Sequence, residues 1–204
     1  MKKEMLHEKS AARHIMDTAI PLFAMRGYAG VSVRELAQAA GVNIALISYY
    51  FGGKKELYAC ILSTQFEVLG SVISEIKQET LLPVEEIYHF VQRVIVIHKR
   101  HPYLIRLAMS EIVNPSACYD SIVKKEIEKI NYFFRACVQR GIDSGNFKSD
   151  IDPAVVAQNL VGMINFYFLT QPLSQELLPG KDKKVDYYIK QSLHHYLQGI
   201  LSTK

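Results

Sequence analysis

A chain of 204 residues with 49% apolar and 22% charged residues has room for one or two globular domains and excludes a disordered or fibrous protein. Three unevenly spaced cysteines, Cys60, Cys118 and Cys137, exclude a disulfide framework or cysteine-based zinc module and fit a reduced cytoplasm. The formal net charge of +4 sits in the first quarter: residues 1–55 hold eight cations (Lys2, Lys3, Lys9, Arg13, Arg26, Arg34, Lys54, Lys55) against four acids (Glu4, Glu8, Asp17, Glu35), and the remainder balances. That asymmetry suits a module that meets a phosphate backbone.

In chain order, the polar start Met-Lys-Lys-Glu predicts no secretory leader. A first helix carries Pro21 in its interior, where proline removes a hydrogen bond, so a kink or local adjustment is expected. Ser32 and Glu35 form a Ser-x-x-Glu capping box that opens a short helix with Leu36, Ala37 and Ala40 on its apolar stripe. Small Ala37 lets a second helix cross closely. Gly41 marks a tight turn, with Val42 directed to the core. Asn43 then caps a second short helix, about 44–51, with Ile47 and Phe51 inward. Asn43, Ala45, Leu46, Ser48, Tyr49 and Tyr50 are left for the outer face. Small and polar groups there suit base edges, and hydroxyls suit phosphates. The pattern predicts a helix-turn-helix, with an ordinary helical hairpin as the plain alternative. Tyr50 can equally serve as packing.

Lys54 to about Lys77 reads as a long helix with Leu57, Ile61, Leu62, Phe66, Leu69, Val72, Ile73 and Ile76 on one side. Pro83 opens a helix to about Arg100, closed by basic residues and Pro102. His98 and His101 read as exposed end-capping groups rather than metal ligands, since no third ligand lies near in sequence. Shorter and longer helices follow over about 103–113 and 121–144. Asp152-Pro153 starts another, to about Thr170, that is apolar on most sides and therefore needs cover on both faces. This stretch is too short and too polar for a membrane span. Residues 172–184 read as a linker, and a last helix runs from about Asp182 to Leu201.

Ile15, Ala19 through Phe23, Arg26-Gly27-Tyr28, Ser32 through Ala37, Ala40-Gly41-Val42, Ile47 through Phe51 and Lys54 through Tyr58 together resemble the TetR family of bacterial transcription regulators. The resemblance in order and spacing covers residues 10–60; beyond that it is one of architecture. It implies an all-α protein: a three-helix DNA-binding domain with a helix-turn-helix over 1–53, and a helical ligand-binding and dimerisation domain over 54–204. It implies DNA contacts by Arg34, Asn43, Ala45, Leu46, Ser48, Tyr49, Tyr50 and Lys54. It also implies a homodimer through the last two helices, binding a palindromic operator in double-stranded DNA as a repressor and released by a small molecule. Gly52-Gly53 departs from the family, where a Ser, Asn or Asp cap is usual.

Candidate effector-binding residues on the middle helices are Phe90, Arg93, Tyr103, Arg106, Met109, Tyr132, Phe133, Met163 and Tyr167, each with core packing as the alternative. Aromatics, methionines and few charges point to an apolar or aromatic effector. Arg93 and Arg106 could pair a ligand carboxylate, or an acid such as Glu111. No nucleophile elbow, P-loop, dinucleotide fingerprint or zinc motif is present, so no catalysis, metal or cofactor is expected. An architectural DNA-bending protein would not need so long a body.

Overall fold

The computed structural model describes residues 2–178 and 184–202. In chain order these form α1 (Lys2–Arg26), α2 (Val33–Ala39), α3 (Ile44–Phe51), α4 (Lys54–Ile76), α5 (Pro83–Arg100), α6 (Leu104–Val113), a π-helical turn (Tyr119–Val123), α7 (Lys124–Asp143), α8 (Pro153–Leu169), α9 (Gln171–Leu177) and α10 (Lys184–Ile200). Among the described residues there is no β-strand, only an isolated antiparallel bridge between Phe147 and Leu201. The all-α class is the one expected. The helices gather into two compact units, Met1–Glu67 with His101–Lys125, and Val68–Arg100 with Glu126–Lys204.

In the first unit, Ile15, Ala19 and Phe23 recur at four-residue steps along α1 and are buried. Helix α1 continues through Pro21 without a break in its assignment. Leu36, Ala37 and Ala40 of the α2 segment and Ile47 of α3 complete the core of the helix-turn-helix. Leu57, Tyr58, Ile61 and Leu62 of α4 are buried in the same unit, as are Leu104, Ile105, Leu107 and Ala108 of α6. The unit thus extends past residue 53. Helix α1 and the two short helices α2 and α3 bury too little apolar surface alone, and α4 and α6 enlarge the core.

In the second unit, Phe90 of α5 packs on Phe133 and Phe134 of α7, with ring centroids 5.2 and 4.9 Å apart. Helix α8 divides as its all-round apolarity suggests. Val156, Ala157, Leu160, Ile164 and Tyr167 are buried, while Val155 and Phe166 are 55% and 58% exposed. Its inner face packs on α10, where Ile189, Leu193 and Leu197 are buried. Helix α4, which runs from one unit into the other, is long and apolar enough to cross a membrane by length and composition. Much of its apolar side, including Leu57, Ile61, Val72 and Ile76, is buried in protein.

Three sequence expectations need correction. The expected linker over 172–184 contains α9, because Pro172 falls in the first turn of that helix, where its missing N–H costs nothing. His98 is not an exposed end group: it is 6% exposed, with its ring stacked 4.0 Å from that of Phe168. Phe51 and Val42 are half-buried rather than core. Residues 179–183, which include the expected start of the last helix at Asp182, lie outside the described residues. So do the side chains of Lys2, Lys3, Glu4, Glu8 and Lys9 counted in the basic excess.

Candidate nucleic-acid interface

The first turn of α2 is fixed from both directions. Ser32 Oγ accepts from the Glu35 backbone N–H at 3.2 Å, and Glu35 Oε2 accepts from the Ser32 N–H at 2.8 Å. Arg26 Nη2 lies 2.8 Å from the other Glu35 oxygen. The bonds from Ser32, then that from Arg26, hold the Glu35 carboxyl at about 2, well below its usual range. Arg34, one residue before this anchor, is exposed.

The turn that follows is built from backbone. The Val42 N–H donates to Ala37 O at 3.0 Å and the Gly41 N–H to Gln38 O at 3.1 Å. Gly41 has φ +63°, a left-handed conformation that favours glycine. His14 Nε2 donates to Ala40 O at 3.1 Å and ties α1 to this corner. Asn43 Oδ1 accepts from the Ala45 N–H at 2.9 Å, capping α3 as expected. That bond uses Oδ1 and leaves the two Nδ2 donors of the amide outside the cap.

Ile47 is fully buried and sets the rotation of α3. Asn43, Ala45, Ser48 and Tyr49 are thereby exposed, whereas Leu46 and Tyr50 are half-buried. The Tyr50 ring lies edge-on to both Tyr49 (5.0 Å) and Phe51 (6.5 Å), so it packs while its flank stays accessible. Ile44 and Gln38 of the same two helices are also exposed, and neither is among the residues expected at the contact. Ile44 follows a cap and reads as apolar filler; its only signal is its position one turn before Ser48.

Gly52 closes α3 with φ +86°, its N–H donating to Ser48 O at 2.9 Å. Gly52 therefore ends α3, while the Gly53 carbonyl accepts from the Leu57 N–H at 3.0 Å and begins α4. Helix α4 starts at Lys54, and its first amides create a positive end that favours phosphate. Lys54 is half-buried, with Nζ 4.1 Å from the centroid of the Tyr28 ring. Loss of water lowers its pKa, opposed by the charge of Glu35. Exposed Lys55 follows it.

Below this surface lies a buried polar cluster. Tyr58 donates its hydroxyl to Glu111 Oε1 at 3.0 Å, and the Ser116 N–H and hydroxyl donate to Oε2 at 3.2 and 2.9 Å. Both Tyr58 and Glu111 are fully buried. Burial, then the charge of Glu111, pushes the Tyr58 hydroxyl far above its usual pKa. Arg106 is not the partner of Glu111 suggested by sequence: its Nη1 lies 3.3 Å from Met25 Sδ.

The candidate effector-binding residues are divided. Tyr103, Arg106 and Met109 belong to the first unit; Phe90, Arg93, Tyr132, Phe133, Met163 and Tyr167 belong to the second. Tyr132 is 70% exposed on α7 and lines no interior. Arg93 is paired with Glu79 and Glu75, so its charge is already met by acids of the protein. Phe90 and Phe133 touch, and Tyr167 is buried beside Tyr188, 5.1 Å away. Of the cysteines, Cys118 and Cys137 are buried and suit packing rather than redox chemistry, while Cys60 is exposed. Cys137 is buried, donates to Glu86 Oε2 at 2.9 Å and has its pKa raised chiefly by burial.

Residues 15–61 match the model of the bacterial regulatory proteins, tetR family, and residues 83–188 match that of the tetracyclin repressor-like C-terminal domain. The chain is 30% identical to the probable HTH-type transcriptional regulator YttP of Bacillus subtilis over 131 residues, 62% of each chain and thus under two thirds of that relative. It is 28% identical to the HTH-type transcriptional repressor SCO4008 of Streptomyces coelicolor over 183 residues, 88% of each. Its fold resembles that of AibR, solved in complex with isovaleryl coenzyme A and operator DNA, with a TM-score of 0.74 and 19% identity over 91% of this chain and 97% of that one. With both its capped helix-turn-helix and its helical body matched, the chain belongs to the TetR family and is a DNA-binding transcription regulator.

Proposed function

We propose that this protein is a cytoplasmic repressor that binds a palindromic operator as a homodimer and leaves it when a small molecule binds the body. The carrying observation is the exposed face formed by Arg34, Asn43, Ala45, Ser48 and Tyr49, held by a helix-turn-helix capped at every corner. Asn43 and Ser48 read base edges; Arg34, Tyr49 and Lys54 meet the backbone; Leu46 and Tyr50 flank the contact. In this reading residues 1–53 are the DNA-binding head and 54–204 the sensing and dimerising body.

The exposed Val155 and Phe166 of α8 support a dimer, since apolar groups on an element already packed on one face await a second partner. A two-fold protein matches two half-sites one helical turn apart. The SCO4008 relative is named a repressor, and AibR was solved with both an acyl-coenzyme A and operator DNA. The AibR complex supports a small-molecule effector for the body, and the apolar side chains of Phe90, Phe133, Met163 and Tyr167 suit the apolar part of such a molecule. It must favour one state of the protein over the other.

Footprinting of the purified protein on genomic fragments tests this reading. Protection of defined sites, lost on addition of an effector, supports it. Uniform protection indicates an architectural DNA protein instead, and no protection removes the proposal.

A further inference from the structure

Lys54 stands apart from an ordinary surface lysine. Its ammonium lies 4.1 Å from the centroid of the Tyr28 ring, well inside cation–π range. It is half-buried, and loss of water lowers its pKa, while its neighbour Lys55 is exposed. The ring beneath it is itself held. Tyr28 packs against Tyr58 at 5.1 Å and stacks on Phe23 at 6.3 Å, and those two rings meet at 4.6 Å. Phe23 is fully buried, and the Tyr58 hydroxyl is bonded to Glu111. A flexible four-carbon side chain therefore rests on a platform fixed to the core of the first unit.

We infer that Tyr28 is the positioning residue of Lys54, holding its ammonium at the N-terminus of α4 where it meets a DNA phosphate. This rests on the reading of Lys54 as a phosphate contact. A lysine held in place loses less freedom on binding than one swinging in water, so pre-organisation strengthens the contact without adding another. The negative face of the ring also offsets part of the desolvation of the ammonium before DNA arrives. Tyr28 supplies no sequence information, and its effect is the same on every duplex.

The test is a double-mutant cycle on the full chain, with a fluorescein-labelled DNA duplex of random sequence titrated over a salt series. Lys54→Ala should weaken binding several-fold and reduce the slope of log K against log salt by about one for each protomer bound, about two for the dimer. Tyr28→Leu should reproduce most of that loss in affinity, and Tyr28→Leu with Lys54→Ala should be no weaker than Lys54→Ala alone. Tyr28→Phe keeps the ring and should stay close to the parent. A series of phenylalanines carrying one to three fluorines at position 28 keeps the shape while draining the ring face. It tests the idea even where Tyr28→Leu fails to fold, and affinity should fall with each fluorine. Additive losses in the cycle, a flat fluorine series, or tighter binding by Tyr28→Leu overturns the positioning role; the last would mean that the ring withholds Lys54 from DNA. An unchanged salt slope in Lys54→Ala refutes the phosphate contact itself, and the inference falls with it.

Discussion

Replacing Tyr58 by Phe removes one oxygen from the core of the first unit and little else. The parent hydroxyl donates to Glu111 at 3.0 Å, and both residues are fully buried. A hydrogen bond to a charged group contributes about 1.5–3 kcal/mol. Glu111 keeps its two bonds from Ser116, so the loss should be about 2 kcal/mol rather than that of an abandoned charge. For a chain of this size that corresponds to a fall of about 4–8 °C in Tm. The pH dependence carries a second signature. The folded-state pKa of Tyr58 is raised above its ordinary 10.0, so its contribution is complete below pH 10 and is lost as pH rises toward the folded value. The parent should therefore lose stability above pH 10 more steeply than Tyr58→Phe, and the two should converge. Urea unfolding followed by circular dichroism at neutral and alkaline pH measures both. A change below about 0.5 kcal/mol at neutral pH, the size typical of a surface substitution, would show that the buried bond does not hold α4 to α6.

Alanine normally outranks glycine inside a helix, yet Gly141→Ala should destabilise by about 1–3 kcal/mol in urea unfolding, because a Cβ there collides with the Phe147 ring; a stabilised variant would contradict the packing of the bridge segment. Ser32→Ala should cost about 1 kcal/mol as a lost cap. Glu35 has a depressed folded pKa of about 2, so the benefit of the capping box is present above its ordinary 4.5 and fades as pH falls toward 2. The gap between parent and Ser32→Ala should narrow on acidification without closing, because the Glu35 N–H still donates to Ser32 Oγ at low pH, as thermal melts over that range would record. Phe166→Asp should keep the helical circular dichroism of the parent but shift its sedimentation toward monomer and lower the concentration dependence of its Tm; an unchanged dimer would place the interface elsewhere.

The helix-turn-helix was legible because its determinants are local. A capping box, a turn glycine and an N-cap Asn act within four residues, and each is made as its spacing implies. Pro83 and Asp152-Pro153 were equally readable as helix starts. What escaped depends on contacts far apart in sequence. Nothing near Tyr28 announces that Lys54 rests on it, and nothing near Glu111 names Tyr58, fifty-three positions away. The pairing of Arg93 is hidden because its partner Glu79 lies in the connection before α5, several turns away from it along the chain. His98 looked exposed because basic residues end a helix in either setting, and its stacking on Phe168 is set by tertiary packing alone. Helix α9 is hard to see in the sequence because it is short, and Pro172 suits a first turn as well as a connection.

The central claim is sequence-specific recognition by a dimer, and selection of bound fragments from a random DNA pool tests it most directly. The account predicts a recovered inverted repeat whose half-sites lie about one helical turn apart and whose preferred bases change in Ser48 or Asn43 variants. Recovery of no common sequence, or of a consensus indifferent to both substitutions, would contradict it.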